Sequence, residues 1–313
     1  MRCGHGARLR LTAALLWGVA ALVPAGATAR DLKLASWNLE WLVSTATTRE
    51  ARNACLAGAR PRLPCDVALD HARSATDYAA LARVARQLDA DVVAIQEVES
   101  LEVAAQVFPG YRFCLSEGRL VQNLGFAIRR GLPYRCEADL RALSLGEHLR
   151  RGVVLSLYPG TAQQVRLLGV HLKSGCPRSR LPSASAACRQ WQSQLPQVAD
   201  WISQQSSQRQ AFAVLGDFNR ELGDGDPAGL WMSLSAAGQS AGGLADAAAG
   251  TPFRNCRAGQ NYASAIDHIF LGGGLQALQL PGSFQRVTYP AADARRYRLS
   301  DHCPIVVRLK IPA

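Results

Sequence analysis

Lysine is nearly missing from this 313-residue chain: Lys33, Lys173 and Lys310 are the only three. Positive charge is therefore carried by arginine, whose planar fork suits bidentate phosphate contacts. A GC-rich coding sequence would give the same bias. Missing too is any long apolar run beyond residue 23, which excludes a bundle of membrane-spanning helices. No Cys-x-x-Cys pair occurs, which argues against a structural zinc site. No linker, repeat or low-complexity block divides the chain.

The first 29 residues read as an export leader. Arg2, Arg8 and Arg10 give a positive start, residues 11–23 are largely apolar, and Ala27-Thr28-Ala29 supplies a small-residue cleavage pattern. The apolar run is shorter than the roughly 18–20 residues a span needs and ends at Pro24 and Gly26. Residues 1–29 are thus expected to be a signal peptide, and residues 30–313 a single domain. Secretion or periplasmic location follows, with no stable membrane association after cleavage and a monomer favoured. Loss of Cys3 leaves eight cysteines, an even number that fits an oxidising compartment. Pairing of sequence neighbours is expected: Cys55 with Cys65, Cys114 with Cys136, Cys176 with Cys188, Cys256 with Cys303. The mature balance is 32 basic against 24 acidic residues, or +8, which steers polyanions.

Short apolar runs alternate with amphipathic stretches. Strands are expected at 32–37, 92–95, 125–128, 153–157, 165–170, 212–215, 266–271 and 305–309. Tyr78, Leu81, Ala82, Ala85 and Leu88 recur at helical spacing, as do Trp191, Leu195, Val198, Trp201 and Ile202. The two tryptophans fall on the helical period and read as core. Residues 44–74 and 174–185 read as loops. Many strands with interspersed helices predict two packed sheets with helices outside.

Polar residues gather where strands end. Asn38 and Glu40 follow the first strand, Glu97 ends the second, and His171 closes 165–170. Asp217 and Asn219 follow 212–215, Asp267 lies at the start of another strand, and Asp301-His302 precedes the last. Each alone is an ordinary turn residue; together they mark one rim of a rigid scaffold. Oxygen donors such as Glu97, Asn38 and Asp301 suit Mg²⁺ or Ca²⁺. Histidines near carboxylates suit proton handling at neutral pH. The combination is what phosphodiester hydrolysis requires.

Trp37-Asn38-Leu39-Glu40, Ile95-Gln96-Glu97, His171-Leu172-Lys173-Ser174, Gly216-Asp217-Phe218-Asn219, Ile266-Asp267-His268-Ile269 and Ser300-Asp301-His302 resemble, in order, the motifs of the endonuclease/exonuclease/phosphatase superfamily. The resemblance implies an α/β (α+β) four-layer sandwich of two mostly antiparallel sheets flanked by helices. It implies metal ligation by Asn38, Glu97, Asp301 and Glu40, with Mg²⁺ as the cofactor and Ca²⁺ or Mn²⁺ as substitutes. Catalytic roles fall to His171, Asp217, Asn219, Asp267 and His302, with Asp267 holding His302. Arg151 or its neighbour Arg150 would contact phosphate; apart from the resemblance, Arg178 and Arg180, in the loop directly after His171, are placed to grip phosphates flanking the cut. His171 matches a histidine of pancreatic-type deoxyribonucleases, sphingomyelinases and inositol-phosphate phosphatases. Two departures stand out: Gln122 and Asn123 occupy the place of a carboxylate partner for His171, and Cys303 directly follows His302.

The expected function is an exported, metal-dependent nuclease acting on DNA and/or RNA. A phosphatase or sphingomyelinase-like phospholipase on the same site remains open, although loops 44–74 and 174–185 are polar and basic rather than apolar. A non-catalytic nucleic-acid or protein binding module is the third reading, disfavoured by the completeness of the residue set.

Overall fold

The computed structural model describes residues 30–116, 121–176, 181–222 and 229–312, besides Met1. The rest of the expected leader, and Arg178 and Arg180, lie outside the described residues. One six-stranded sheet has the order β11 (Gln285–Arg286), β12 (Ile305–Ile311), β1 (Arg30–Leu42), β2 (Val92–Val98), β4 (Asn123–Arg129), β3 (Tyr111–Leu115). The other runs β5 (Tyr134–Cys136), β6 (Val153–Leu157), β7 (Val165–His171), β8 (Ala211–Asp217), β10 (Asp267–Gly272), β9 (Leu244–Asp246). Each sheet is antiparallel except for one central parallel pair, β1 with β2 and β7 with β8. Parallel neighbours need a helical crossover. It is supplied by α1 (Thr45–Leu56), α2 (Cys65–Asp70) and α3 (Ala75–Leu88) in the first sheet and by α5 (Ala186–Ser207) in the second. The helices α4 (Leu101–Val107), α6 (Leu230–Ala237) and α7 (Ala291–Arg296) complete the seven among the described residues. The two sheets share one plan: β1, β2, β3, β4 and β12 occupy the places of β7, β8, β9, β10 and β6.

Side-chain alternation makes the four layers. Leu32 and Leu34 of β1, Val153, Leu155 and Leu157 of β6, Ala213 and Leu215 of β8, and Ile269 and Leu271 of β10 meet between the sheets. The intervening residues face outward: Ala35 and Trp37 pack on α3 and α4, and Val154, Val214 and Phe270 on α5. Such period-2 partition is what two face-packed sheets demand. Trp191 and Trp201 are core residues, as their spacing predicts.

Differences from the sequence reading lie at the margins. Residues 44–74 are not simply a loop, since they hold α1 and α2. Only Thr48 and Ala51 of α1 are buried, so no apolar period announces the helix. It is fixed by the Ser44 cap on Thr47 N–H and a small cluster with Val43, Leu63 and Val67. The strands β3, β5, β9 and β11 sit at or near sheet edges and carry no long apolar run. All four neighbour pairings of cysteines are present as disulfides. Among the described residues no helix is long and apolar enough to cross a membrane.

Candidate active site

The rim arises where the apolar layer between the sheets ends. Two residues beyond Ala213 and Leu215 on β8, the inward face reaches Asp217; on β10 the face that holds Ile269 and Leu271 begins at Asp267. His171 stands on β7 opposite Asp217, and Asn38 on β1 opposite Gln96. β1 and β2 finish at this end, as do β7 and β8, while β10 and β12 start there. Glu97 would face the helices by alternation with Ile95. Its left-handed backbone (φ 61°), at a register shift against β4, turns it into the rim instead. Glu40 and Trp41 (φ 47° and 51°) lie in a matching irregularity of β1, and Asn219 (φ 53°) follows β8. These are four of the nine left-handed non-glycine residues among the described residues, and strained backbone of this kind is drawn to functional sites. Gly216 lets β8 approach β7: a Cβ there would stand 2.0 Å from the Val170 carbonyl oxygen.

The contacts form one network. Asn38 Nδ2 donates to Asp217 Oδ2 (2.9 Å) and Glu97 Oε1 (3.2 Å), and its Oδ1 accepts from Glu40 N–H (3.0 Å). Glu97 Oε2 accepts from Trp41 N–H (2.9 Å). His171 Nε2 faces Asp217 Oδ2 at 3.5 Å and Glu97 Oε1 at 3.7 Å, while its buried Nδ1 has no partner. His302 Nδ1 lies 2.9 and 3.0 Å from the two Asp267 oxygens, and Nε2 lies 3.8 Å from Asp217. Asp217 Oδ1 accepts from Asn219 N–H (2.7 Å), and Asn219 Nδ2 donates to the Leu172 carbonyl. Gln122 and Asn123 do not partner His171; Gln122 accepts from Arg150 and Asn123 donates to the Glu99 carbonyl.

Burial and charge divide the protonation states. Burial would discharge His302, but the carboxylates of Asp267 and Asp217 hold its pKa well above the usual imidazole value. Burial likewise opposes ionisation of Asp267, yet His302 keeps that carboxyl below its ordinary range. Burial pushes Asp217 up to about 7, with Asp267 adding to the rise. Burial and then Arg150 hold His171 well below the usual value, so it is neutral. His302 and Asp267 are thereby held as an ion pair, and Asp217 is the group placed to exchange a proton near neutral pH.

The segment carrying His302 is pinned at successive residues. Buried Arg73 donates to the carbonyls of Glu40, Trp41, Arg298 and Leu299. Ser300 Oγ donates to the Asn38 carbonyl (2.7 Å) and accepts from His302 N–H (3.0 Å). Asp301 N–H donates to Glu40 Oε2, and its carbonyl accepts from Gln260. The His302 carbonyl accepts from Tyr289 and Trp37, and Cys303 is bridged to Cys256. Sequence reasoning passed over Arg73, Tyr289 and Gln260, because their partners lie 13 to 41 residues or more away along the chain and no local pattern announces them.

Several expected residues sit elsewhere than the rim. Glu40 turns aside, with Oε2 3.6 Å from Arg73 and Oε1 3.5 Å from His71. Arg151 forms a fork with Glu147 (2.7 and 2.8 Å) and faces Asp139 at 3.8 Å. Of the two adjacent arginines it is Arg150 that joins the site, donating to the carbonyls of His171 and Leu172. Asp217, Asp267 and His302 bring ligand-type atoms within 4.8 Å of one another. An imidazolium shared with a carboxylate is a poor cation ligand, so that trio fits proton handling better than metal binding. Glu97 and Asp301 offer carboxylate oxygens at the same rim. Such hard oxygen donors, beside the buried carboxylate of Asp217, suit Mg²⁺ or Ca²⁺.

A two-sheet sandwich bearing carboxylates, an amide and paired imidazoles at one end is the framework of a phosphoester hydrolase. The chain belongs to the Endonuclease/Exonuclease/phosphatase family, whose model matches residues 35–302. That family's enzymes are phosphoesterases dependent on divalent metal. No curated protein matches the sequence. Solved structures share the fold. Truncated TDP2 from Caenorhabditis elegans is 16% identical, covering 90% of this chain and 98% of that one, with a TM-score of 0.53. The human Nocturnin catalytic domain, with bound sulfate, is 12% identical over 90% and 94%, TM-score 0.56. The 3'-5' exonuclease NExo from Neisseria meningitidis is 15% identical over 89% and 100%, TM-score 0.53.

Proposed function

We propose that the protein is an exported, Mg²⁺-dependent phosphodiesterase that hydrolyses DNA or RNA. The observation that carries this reading is the convergence of Asn38, Glu97, His171, Asp217, Asp267 and His302 from five strands and the approach to a sixth on one rim. Glu97 and Asp301 would hold the cation, with Asn38 beside Glu97, and Glu40 would serve by fixing the Asp301 backbone. When bound, the ion neutralises charge on the phosphoryl oxygens and makes water more acidic. Asp217, with a pKa near the working pH and both oxygens oriented by Asn38 and Asn219, takes a proton from the attacking water. The His302 imidazolium, held by Asp267, donates to the phosphoryl oxygen as charge accumulates there; the P–O bond opposite the attacking water then breaks, and the departing alkoxide takes its proton from solvent. Arg150 adds a guanidinium beside the same carboxylates.

A polymeric anion is supported by a groove of about 490 Å³ in which Arg257, Arg295, Arg296 and Arg298 outnumber the carboxylates of Glu40 and Asp77. Arginine rows of this kind track phosphate backbones. The arginines at 295–298 were readable in the sequence as a basic run just before Ser300-Asp301-His302. Names of fold neighbours, an exonuclease among them, agree with this substrate class. We also infer that residues 1–29 are a cleaved leader and residues 30–313 one domain. The four disulfides support export, since such bridges persist in oxidising compartments. Plasmid nicking that requires Mg²⁺, stops with chelator and is absent from Glu97→Ala would support the reading; full turnover by that variant would refute the ligand assignment.

A further inference from the structure

We infer that the cavity beside His302 is a subsite for one unstacked nucleobase next to the scissile phosphate, an inference that rests on the nuclease reading above. The cavity, about 510 Å³, opens onto Asn219, Asp267, Asp301 and His302, and its far wall is the segment 253–266. Phe253 and Tyr262 supply that wall with aromatic surface. Tyr262 is 53% exposed, so core packing does not account for its place. Arg286 lies over the Phe253 ring (4.9 Å) and 4.0 Å from Asp267, linking the aromatic wall to the histidine's own partner.

The wall is built rather than loose. Asn255 exchanges two hydrogen bonds with the Tyr262 backbone, at 3.0 and 3.2 Å. Gln260 accepts from the N–H groups of Cys256 and Arg257 and donates to the Asp301 carbonyl. The Cys256–Cys303 disulfide ties the segment to the residue after His302. The backbone that carries Phe253 and Tyr262 is thus held in register with His302, which lowers the ordering cost of stacking on their rings.

Size and chemistry select the occupant. The volume falls in the range of about 300–1,000 Å³ typical of small-ligand sites, which admits a nucleoside and excludes a stacked duplex. Every base has a π-face, so aromatic walls bind bases with little sequence preference. A base paired in a duplex must first be unstacked at a free-energy cost, so single strands and strand ends are preferred over duplex interiors. Arg257 of the same segment lines the arginine groove, so backbone and base find separate, neighbouring surfaces.

The test compares a dinucleoside monophosphate with two analogues lacking the base on one side or the other, using the mature protein with Mg²⁺. Removing the base that enters the cavity lowers kcat/KM by about 5- to 150-fold, the range of one base–aromatic stack; removing the other has a much smaller effect. In Tyr262→Ala the ratio between base-bearing and base-free substrate collapses towards one, and Tyr262→Phe restores it. Tyr262 is exposed, so its truncation leaves the fold in place. Equal rates on all three substrates by a protein that does cut DNA or RNA would overturn the subsite and spare the nuclease reading. Absence of any nucleic-acid cleavage, including turnover confined to phospholipid, would overturn both.

Discussion

Replacing Asp267 by Asn isolates the partnership that sets the charge on His302. The substitution keeps shape, so the pairing of β10 with β8 and the place of Arg286 persist. What goes is the negative charge 2.9 Å from His302 Nδ1. A hydrogen bond to a charged group contributes about 1.5–3 kcal/mol and a neutral one about 0.5–1.5. The difference, about 1–1.5 kcal/mol, lowers the rate about 5- to 13-fold. A second loss is pH-dependent. Asp267 raises the His302 pKa in the folded protein, so without its charge the imidazolium persists only at lower pH. The ratio of variant to wild-type kcat should therefore be highest near pH 6 and fall as the pH rises towards 8. Steady-state rates on a single-stranded oligonucleotide across that window measure it, with thermal melts as a control for folding. A ratio near one throughout, or one that falls towards acid, would refute the assignment of His302 as a cationic donor.

Glu97→Gln, which removes charge without changing shape, should lower Mg²⁺-dependent turnover about 100-fold or more and weaken Mg²⁺ binding in a calorimetric titration; unaltered binding would remove Glu97 from the ligand set. Gly216→Ala should destabilise by about 3 kcal/mol or more, at the upper end for single substitutions, because its Cβ would meet the Val170 carbonyl; a urea midpoint like the wild type's would contradict that. Removing the Cys256–Cys303 bridge with serines releases a separation of 47 residues, against 10 for Cys55–Cys65. The chain-entropy estimate is about 4 kcal/mol for the first and about 3 for the second, so the first variant should unfold at lower urea. Equal midpoints would mean that strain, not loop length, sets their contributions.

Strands with inward apolar residues, and the polar residues at their ends that meet on one rim, were legible because burial between two sheets imposes a period of two. Asp217 and Asp267 fall on that period. Glu97 does not, and it reaches the rim only through a left-handed backbone that no local pattern announces. Arg150 and Arg151 are indistinguishable in sequence; the fold separates them by giving Arg151 to Glu147 and Asp139. Glu40 looked like a ligand from its place after β1, yet Arg73 and His71 draw it aside. The aromatic wall at Phe253 and Tyr262 carries no motif, and its meaning comes from the segment being folded back onto His302. Edge strands and α1 escaped because half-exposed elements need little apolar patterning. The cysteine pairing was legible because each partner is the next cysteine along the chain.

The most direct test of the account is a cleavage assay on the purified mature protein, using plasmid DNA and single-stranded RNA with Mg²⁺ or with chelator, beside His302→Ala. Metal-dependent strand cleavage is expected, with the variant slower by at least about 100-fold, a loss of about 2.7 kcal/mol in transition-state stabilisation. A folded wild-type protein that cleaves neither polymer, or a variant that cleaves as fast as the wild type, would contradict it.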